Sequence, residues 1–304
     1  GWKIEFMSPN GQHRVKRSTK LGRGHQTFNR SITRKLHSIE LDEYCAAIVE
    51  WTGVQGASSE LARAQLPWVI MDRSPPITSG IIGWLQRKQY NKAWGIARNQ
   101  GVGRAVKSTY MEASQRWKKL SAIVPAGVDI TAFDSASMND NPLVVCHGSL
   151  DRSRELNRLT QMGVNLLLFG EGNDSQRLSN LTRVEGPGNV ASRLASADVG
   201  VLHLPNRDVW KHASPLKVAE YAAAGLPVVA SEVSGLERYR NAEWMKLIPL
   251  GDDEAFKNAL QALCQLPIEE RRKLGRLARK EAENSMTWEH CTEALHEMLL
   301  EVKR

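Results

Sequence analysis

Lys217 and Glu220 lie three residues apart in the run His212-Ala-Ser-Pro-Leu-Lys-Val-Ala-Glu-Tyr-Ala-Ala-Ala-Gly-Leu-Pro-Val-Val-Ala-Ser231. Ser214 is suited to cap a helix and Pro215 to open it, because the missing proline N–H has no partner in a first turn. A helix over Lys217 to Ala224 would present free N–H groups and the positive end of its dipole, an arrangement that holds phosphate. Lys217 adds a full charge. Glu220 falls on roughly the same face and could accept hydrogen bonds from ribose hydroxyls. The chemistry that fits is binding of a nucleoside diphosphate. An ordinary capped helix with two solvated charges fits the same residues.

The elements that must position this helix read as alternating strands and helices. Strands are expected at Leu143 to Cys146, Val164 to Phe169, Ala197 to Leu204, Leu226 to Ala230 and Trp244 to Ile248, with a helix over Glu155 to Met162. This alternation predicts right-handed βαβ units and a parallel sheet. Ligands of such sheets bind at the carboxyl ends of the strands, where Gly148, the Gly170-Glu171 turn and Ser214 fall. Gly225 is placed to end the helix in a left-handed turn.

The first part of the chain reads as a strand over Trp2 to Met7, then a turn at Gly22-Arg-Gly-His25 opening a helix to Leu36. An apolar run over Tyr44 to Trp51, a helix over Ser58 to Gln65 and a strand over Pro67 to Met71 follow, ending in Asp72-Arg73 before Pro75 and Pro76. A guanidinium at a strand end such as Arg73 could bind a diphosphate or an anionic acceptor, although charges before Pro-Pro are also common in plain turns. A helix over Gly80 to Asn99 carries Trp84, Trp94, Arg87, Lys88, Lys92 and Arg98. Its tryptophans suit either the domain core or a membrane interface, and core packing is the expectation.

The 304 residues fit two domains. The boundaries expected are residues 1–125, an interdomain linker at 126–141 that is small and polar over Asp134 to Asn141, and 142–304. Net charge is +8, with 20 Lys and Arg against 8 Asp and Glu in residues 1–125 and 21 against 25 in the rest. The basic first part is expected to face something anionic, such as phospholipid or a phosphorylated acceptor, or simply to be solvated. No nucleic-acid reading motif is present, so nucleic acid is not an expected partner. Cys45, Cys146, Cys264 and Cys291 are scattered without metal-ligand spacing, and no metal is expected. No run approaches the ~18 apolar residues of a membrane span, and a cytoplasmic protein, peripheral on the inner face of an anionic membrane at most, is the expectation.

The run from Ser214 to Ser231 resembles the signature of the group 1 retaining nucleotide-sugar glycosyltransferases, similar to glycosyltransferase family 4. The resemblance implies the GT-B fold: α/β, two Rossmann-like domains facing a cleft, here with a short first domain. It makes Glu220 the second glutamate of a Glu-x7-Glu motif, which binds the donor ribose, and puts His212 in place of the first. The Gly148 loop resembles the family's diphosphate loop, with Arg154 on its lysine position, Ser149 on its arginine position and Arg152 within reach. Ile123-Val-Pro-Ala-Gly-Val-Asp129 resembles the interdomain segment, and Met286-Thr-Trp-Glu289 resembles the start of a terminal helix, about 287–303, that crosses back onto the first domain. Gly24, His25, Asp72 and Arg73 correspond to groups that face the cleft.

What the resemblance implies is transfer of a sugar, with retention, from a nucleoside-diphosphate sugar to a hydroxyl of a sugar, polysaccharide or lipid-linked acceptor. Arg154, Lys217 and Arg73 are the candidate catalytic residues, the Leu216 and Lys217 amides join them, and no cofactor beyond the donor is required. An epimerase or hydrolase of the same fold and a noncatalytic partner subunit are the alternatives.

Overall fold

The computed structural model describes residues 3–16, 24–76, 80–114, 116–211 and 213–303. The chain divides into two compact units: Gly1–Lys107 with Met111–Val124 and Glu293–Arg304, and Ser108–Tyr110 with Pro125–Thr292.

In the first unit, β1 (Met7–Ser8) pairs with β2 (His13–Arg14), and α1 (Gly24–Leu36) follows. Then come β3 (Ala47–Glu50), α2 (Val54–Arg63), β4 (Trp68–Asp72), α3 (Gly80–Gln100), β5 (Gly103–Val106), α4 (Thr109–Ser114) and β6 (Leu120–Ile123). Among the described residues β3 to β6 form a parallel sheet in sequence order. Alternation along the strands buries both of its faces, as the pleat requires. Trp68 and Ile70 of β4 enter one apolar cluster with Val54, Trp94 and Val106, while Val69 enters another with Ala105, Ala122, Leu295 and Met298.

The strand expected over Trp2 to Met7 does not form within the described residues. Ile4 and Phe6 are exposed there, and the strand pairing is confined to β1 and β2 among the described residues. The tryptophans of α3 divide: Trp94 is buried, whereas Trp84 is 57 % exposed.

The second unit is built on β7 (Val144–Ser149), β8 (Leu166–Glu171), α5 (Ser175–Ser179), β9 (Arg183–Glu185), α6 (Val190–Leu194), β10 (Val199–Leu202), α7 (Asp208–Lys211) and α8 (Leu216–Ala223). Next are β11 (Val228–Ser231), β12 (Met245–Ile248), α9 (Asp253–Gln265), α10 (Ile268–Ser285) and α11 (Trp288–Val302), the last reaching into the residues of the first unit. Its sheet is parallel with the order β12-β11-β10-β7-β8-β9. The order reverses at β7, which puts a switch point between β7 and β10, the place where doubly wound sheets take their ligands.

Two sequence expectations for this unit need correction. Residues 126–141 are not a free linker: Val128, Phe133 and Met138 are buried in its core, and Ala136 and Ser137 donate backbone hydrogen bonds to Ala224 and Ala195. Apolar side chains among the small polar ones carry the segment inward. The helix expected over Glu155 to Met162 is a run of 3-10 turns over Leu156–Gln161, entered through Glu155 in a left-handed conformation (φ 52°) with no side-chain cap.

Candidate functional site at the end of β7

α8 forms where the sequence places it and stops for the expected reason. Leu226 N–H donates to Tyr221 and Gly225 N–H to Ala222, with Gly225 at φ 68°, the paired bonds of a Schellman cap. Its start differs. The cap position is Pro215, which offers no side-chain bond, and Ser214 instead accepts a hydrogen bond at Oγ from Ala126 N–H at 3.1 Å. Ser214 therefore ties the 125–127 segment to the start of the helix instead of satisfying its first amides. The Leu216 and Lys217 amides keep the open first-turn character of any helix N-terminus.

Lys217 reaches the end of β7. Gly148 there has φ 105°, and a Cβ on it would lie 3.0 Å from Lys217 Cε and 3.2 Å from its ammonium nitrogen. Its register partner on β8, Gly170, has φ 140°, and a Cβ on it would meet the Gly148 carbonyl oxygen at 2.0 Å. A side chain at Gly170 would clash with the backbone of β7, and one at Gly148 would be strained by its positive φ and would crowd the end of Lys217.

Glu220, one turn beyond Lys217, has its carboxylate Oε2 3.2 Å from Nε2 of His147, the residue before Gly148. The contact lacks hydrogen-bond geometry, and among the described residues Nε2 is buried without a hydrogen-bond partner. Gly148, Gly170, Lys217 and Glu220 are thus assembled. The sequence reading missed His147. It sits beside a candidate residue in the chain, but only packing puts it next to Glu220.

The loop after β7 is arranged by its own contacts. Ser149 Oγ donates to Asp151 Oδ2 at 2.6 Å, a bond that holds the Asp151 carboxyl below its usual range together with the Asn173 N–H. Arg152 Nε donates to the buried Asp174 at 3.3 Å, and Arg177 shares that carboxylate, so Arg152 is held on Asp174. Arg154 lies over the ring of Trp210, 4.3 Å from its centroid, and burial lowers its pKa against the pull of Cys146 and Asp151. The next residue, Glu155, pairs with Arg158 and Arg207 at 2.8 Å each, and Arg158 also bonds Asp253 at 2.6 Å, which pins the turn carrying Arg154. Glu171 is exposed, and its carbonyl accepts from Leu150 N–H at 2.9 Å. His212 lies outside the described residues. An open hollow of about 480 Å³ lined by Glu232, Arg240 and Lys246 lies along the edge strand β12, away from these groups.

In the first unit, Asp72 is fully buried and accepts hydrogen bonds from Tyr90 Oη at 2.5 Å and Trp94 Nε1 at 3.0 Å. Burial raises its pKa against those two bonds and the nearby Lys107. Asp72 thus anchors α3 and offers no surface to a ligand, which corrects its reading as an acceptor contact. Arg73 donates from Nη1 to the Val124 carbonyl at 2.9 Å. His25, the second residue of α1 after Gly24, stacks on Trp51 and has its Nε2 2.9 Å from the Gln55 amide nitrogen. Among the described residues no group of three or more His, Cys, Asp or Glu side chains could hold a metal ion.

Residues 144–265 match the family described as glycosyl transferases group 1. No curated protein sequence matches the chain. Solved structures do. Sucrose-phosphate synthase from Thermosynechococcus elongatus is 20 % identical with a TM-score of 0.68, over 96 % of this chain and 81 % of that one. The Anabaena protein HepE in complex with UDP is 15 % identical at a TM-score of 0.69, over 95 % and 87 %. The trehalose 6-phosphate synthase from Burkholderia multivorans is 13 % identical at 0.67, over 94 % and 78 %. These likenesses show the GT-B fold.

Proposed function

We propose, from the match of residues 144–265 to the glycosyl transferases group 1, that this chain moves a sugar from a nucleoside-diphosphate sugar to an acceptor hydroxyl with retention of configuration. The observation that carries the reading is the Lys217 ammonium over Gly148 with Glu220 one turn further along α8. Diphosphate would sit at the end of β7 and the ribose would bond to Glu220. In the reaction the bond from the sugar's anomeric carbon to the diphosphate oxygen breaks and one to the acceptor oxygen forms. The acceptor proton passes to the leaving diphosphate.

Charge grows on the leaving oxygen, and preorganised cations and amides lower that barrier. Lys217, Arg154 and the Leu216 and Lys217 N–H groups take this role. Arg73 is assigned to an anionic acceptor, and Gly148, Ser149, Gly170 and Glu171 to the walls of the donor site. UDP is the nucleotide to try first, because HepE was solved with it. Thermal stabilisation against a panel of nucleoside diphosphates tests the reading, since a ligand of the native state alone raises the melting temperature by mass action. No shift at millimolar nucleotide would overturn it in favour of a noncatalytic subunit. Free sugar or an isomer formed without acceptor would favour a hydrolase or epimerase.

Among the described residues no helix is long and apolar enough to cross a membrane. The start of α3 nevertheless exposes Ile81, Ile82, Trp84 and Leu85, and the next turns expose Arg87, Lys88 and Lys92 with no acidic residue in the helix. Lys88 lies 5.5 Å from the Trp84 ring. An apolar turn followed by exposed cations suits the surface of anionic lipid and a lipid-linked acceptor. Sedimentation with vesicles containing phosphatidylglycerol, compared with pure phosphatidylcholine, tests this. Equal recovery from both would remove the membrane surface as a partner.

A further inference from the structure

We propose that His147 is a positioning residue that holds the Glu220 carboxylate for the donor ribose, an inference that rests on the donor-site reading above. Its imidazole is fixed on two sides. It stacks on Phe169 with centroids 5.1 Å apart and planes at 15°, and it meets the Tyr221 ring edge-on at 5.3 Å and 90°. The side chain is only 7 % exposed, and Nε2 has no hydrogen-bond partner among the described residues.

A buried nitrogen left without a partner is costly, so a ring held this way calls for a reason. The group in front of Nε2 is Glu220 Oε2 at 3.2 Å, close enough to pair but off the hydrogen-bond direction. A small turn of the carboxylate completes the bond. With Oε2 held by the imidazole, Oε1 is left as the acceptor for ligand hydroxyls. The other charged groups at this place are Lys217, which lies against Gly148, and Arg193, 5.1 Å from the Phe169 ring; both attract anions and neither competes for the imidazole as an acceptor.

A purely structural role predicts that any aromatic ring of similar size will do. His147→Phe keeps the stacking and removes Nε2. The variant and the wild-type protein are titrated calorimetrically with UDP and with 2′,3′-dideoxy-UDP, alone and in a Glu220→Ala background.

The expected result is an about tenfold weaker UDP affinity for His147→Phe, the loss of one bond to a charged group. Affinity for the dideoxy analogue should not change, and no further loss should appear once Glu220 is alanine. His147→Gln, whose amide can donate to Glu220, should recover most of the affinity. UDP affinity equal to wild type, or a loss that persists with the dideoxy analogue or without Glu220, overturns the inference. A wild type that binds no nucleoside diphosphate overturns the donor-site reading itself. If His147→Phe does not fold, His147→Met is titrated in the same way.

Discussion

The end of the Lys217 side chain lies against Gly148: a Cβ there would stand 3.0 Å from Cε and 3.2 Å from Nζ. A helix first turn and a strand end are thereby brought to one point, and the glycine at φ 105° is what permits it. Gly148→Ala should cost about 1–3 kcal/mol of stability through backbone strain and should weaken UDP binding by pushing Lys217 aside. Denaturant unfolding and calorimetric titration check the two effects. The affinity loss should vanish in a Lys217→Ala background; a loss that persists there would mean that Gly148 acts without Lys217.

Lys217→Ala should leave the melting temperature nearly unchanged and lower kcat by roughly a hundredfold, the scale seen when one preorganised charge-stabilising group is removed. The acceptor KM should hardly move. A change confined to acceptor KM would take Lys217 away from the leaving diphosphate.

Glu220→Ala removes the acceptor assigned to the ribose. The expected loss is about 1.5–3 kcal/mol of donor binding. Equilibrium titration with UDP measures it directly, and affinity at the wild-type level would exclude Glu220 from the site.

Asp72 makes a prediction about stability instead of activity. Burial raises its folded-state pKa above the ordinary carboxyl value, so the folded protein binds this proton more tightly than the unfolded chain. Its contribution is therefore complete below about pH 3.9 and is lost as pH rises through the folded value. Asp72→Asn keeps an oxygen for Tyr90 and Trp94 but cannot ionise. Its stability relative to wild type should increase in urea unfolding as pH rises from the ordinary carboxyl value through the raised folded value; a difference that falls as pH rises above the ordinary value would contradict the raised pKa. Asp72→Leu, which strands both donors, should cost about 1–3 kcal/mol per donor.

Much of the frame around Lys217 and Glu220 was legible because its signals are local. The glycine cap at Gly225, the buried strand over Val228–Ser231 and the Lys217 and Glu220 spacing depend on nearest neighbours along the chain and on helical and strand periods. The strand ends with Gly148 and Gly170 followed from the same alternation.

The side-chain partners were not legible in this way, because each comes from residues far apart in the chain. Ser214 has the chemistry of a cap, yet Ala126 N–H, 88 residues away, takes its hydroxyl. Arg152 could have faced a phosphate, but the buried Asp174 holds it, whereas Trp210 receives Arg154. Asp72 reads as a charge at a strand end, and only the packing of α3 brings Tyr90 and Trp94 onto it. For β7, β8, α8 and β11 the sequence by itself determined which elements form and which chemically able residues lie at their ends, since propensity and period act over a few residues. The tertiary structure alone decided which of those residues stay available and which are spent on one another, since burial and hydrogen bonding are settled by whatever the folded chain puts within 3 to 4 Å.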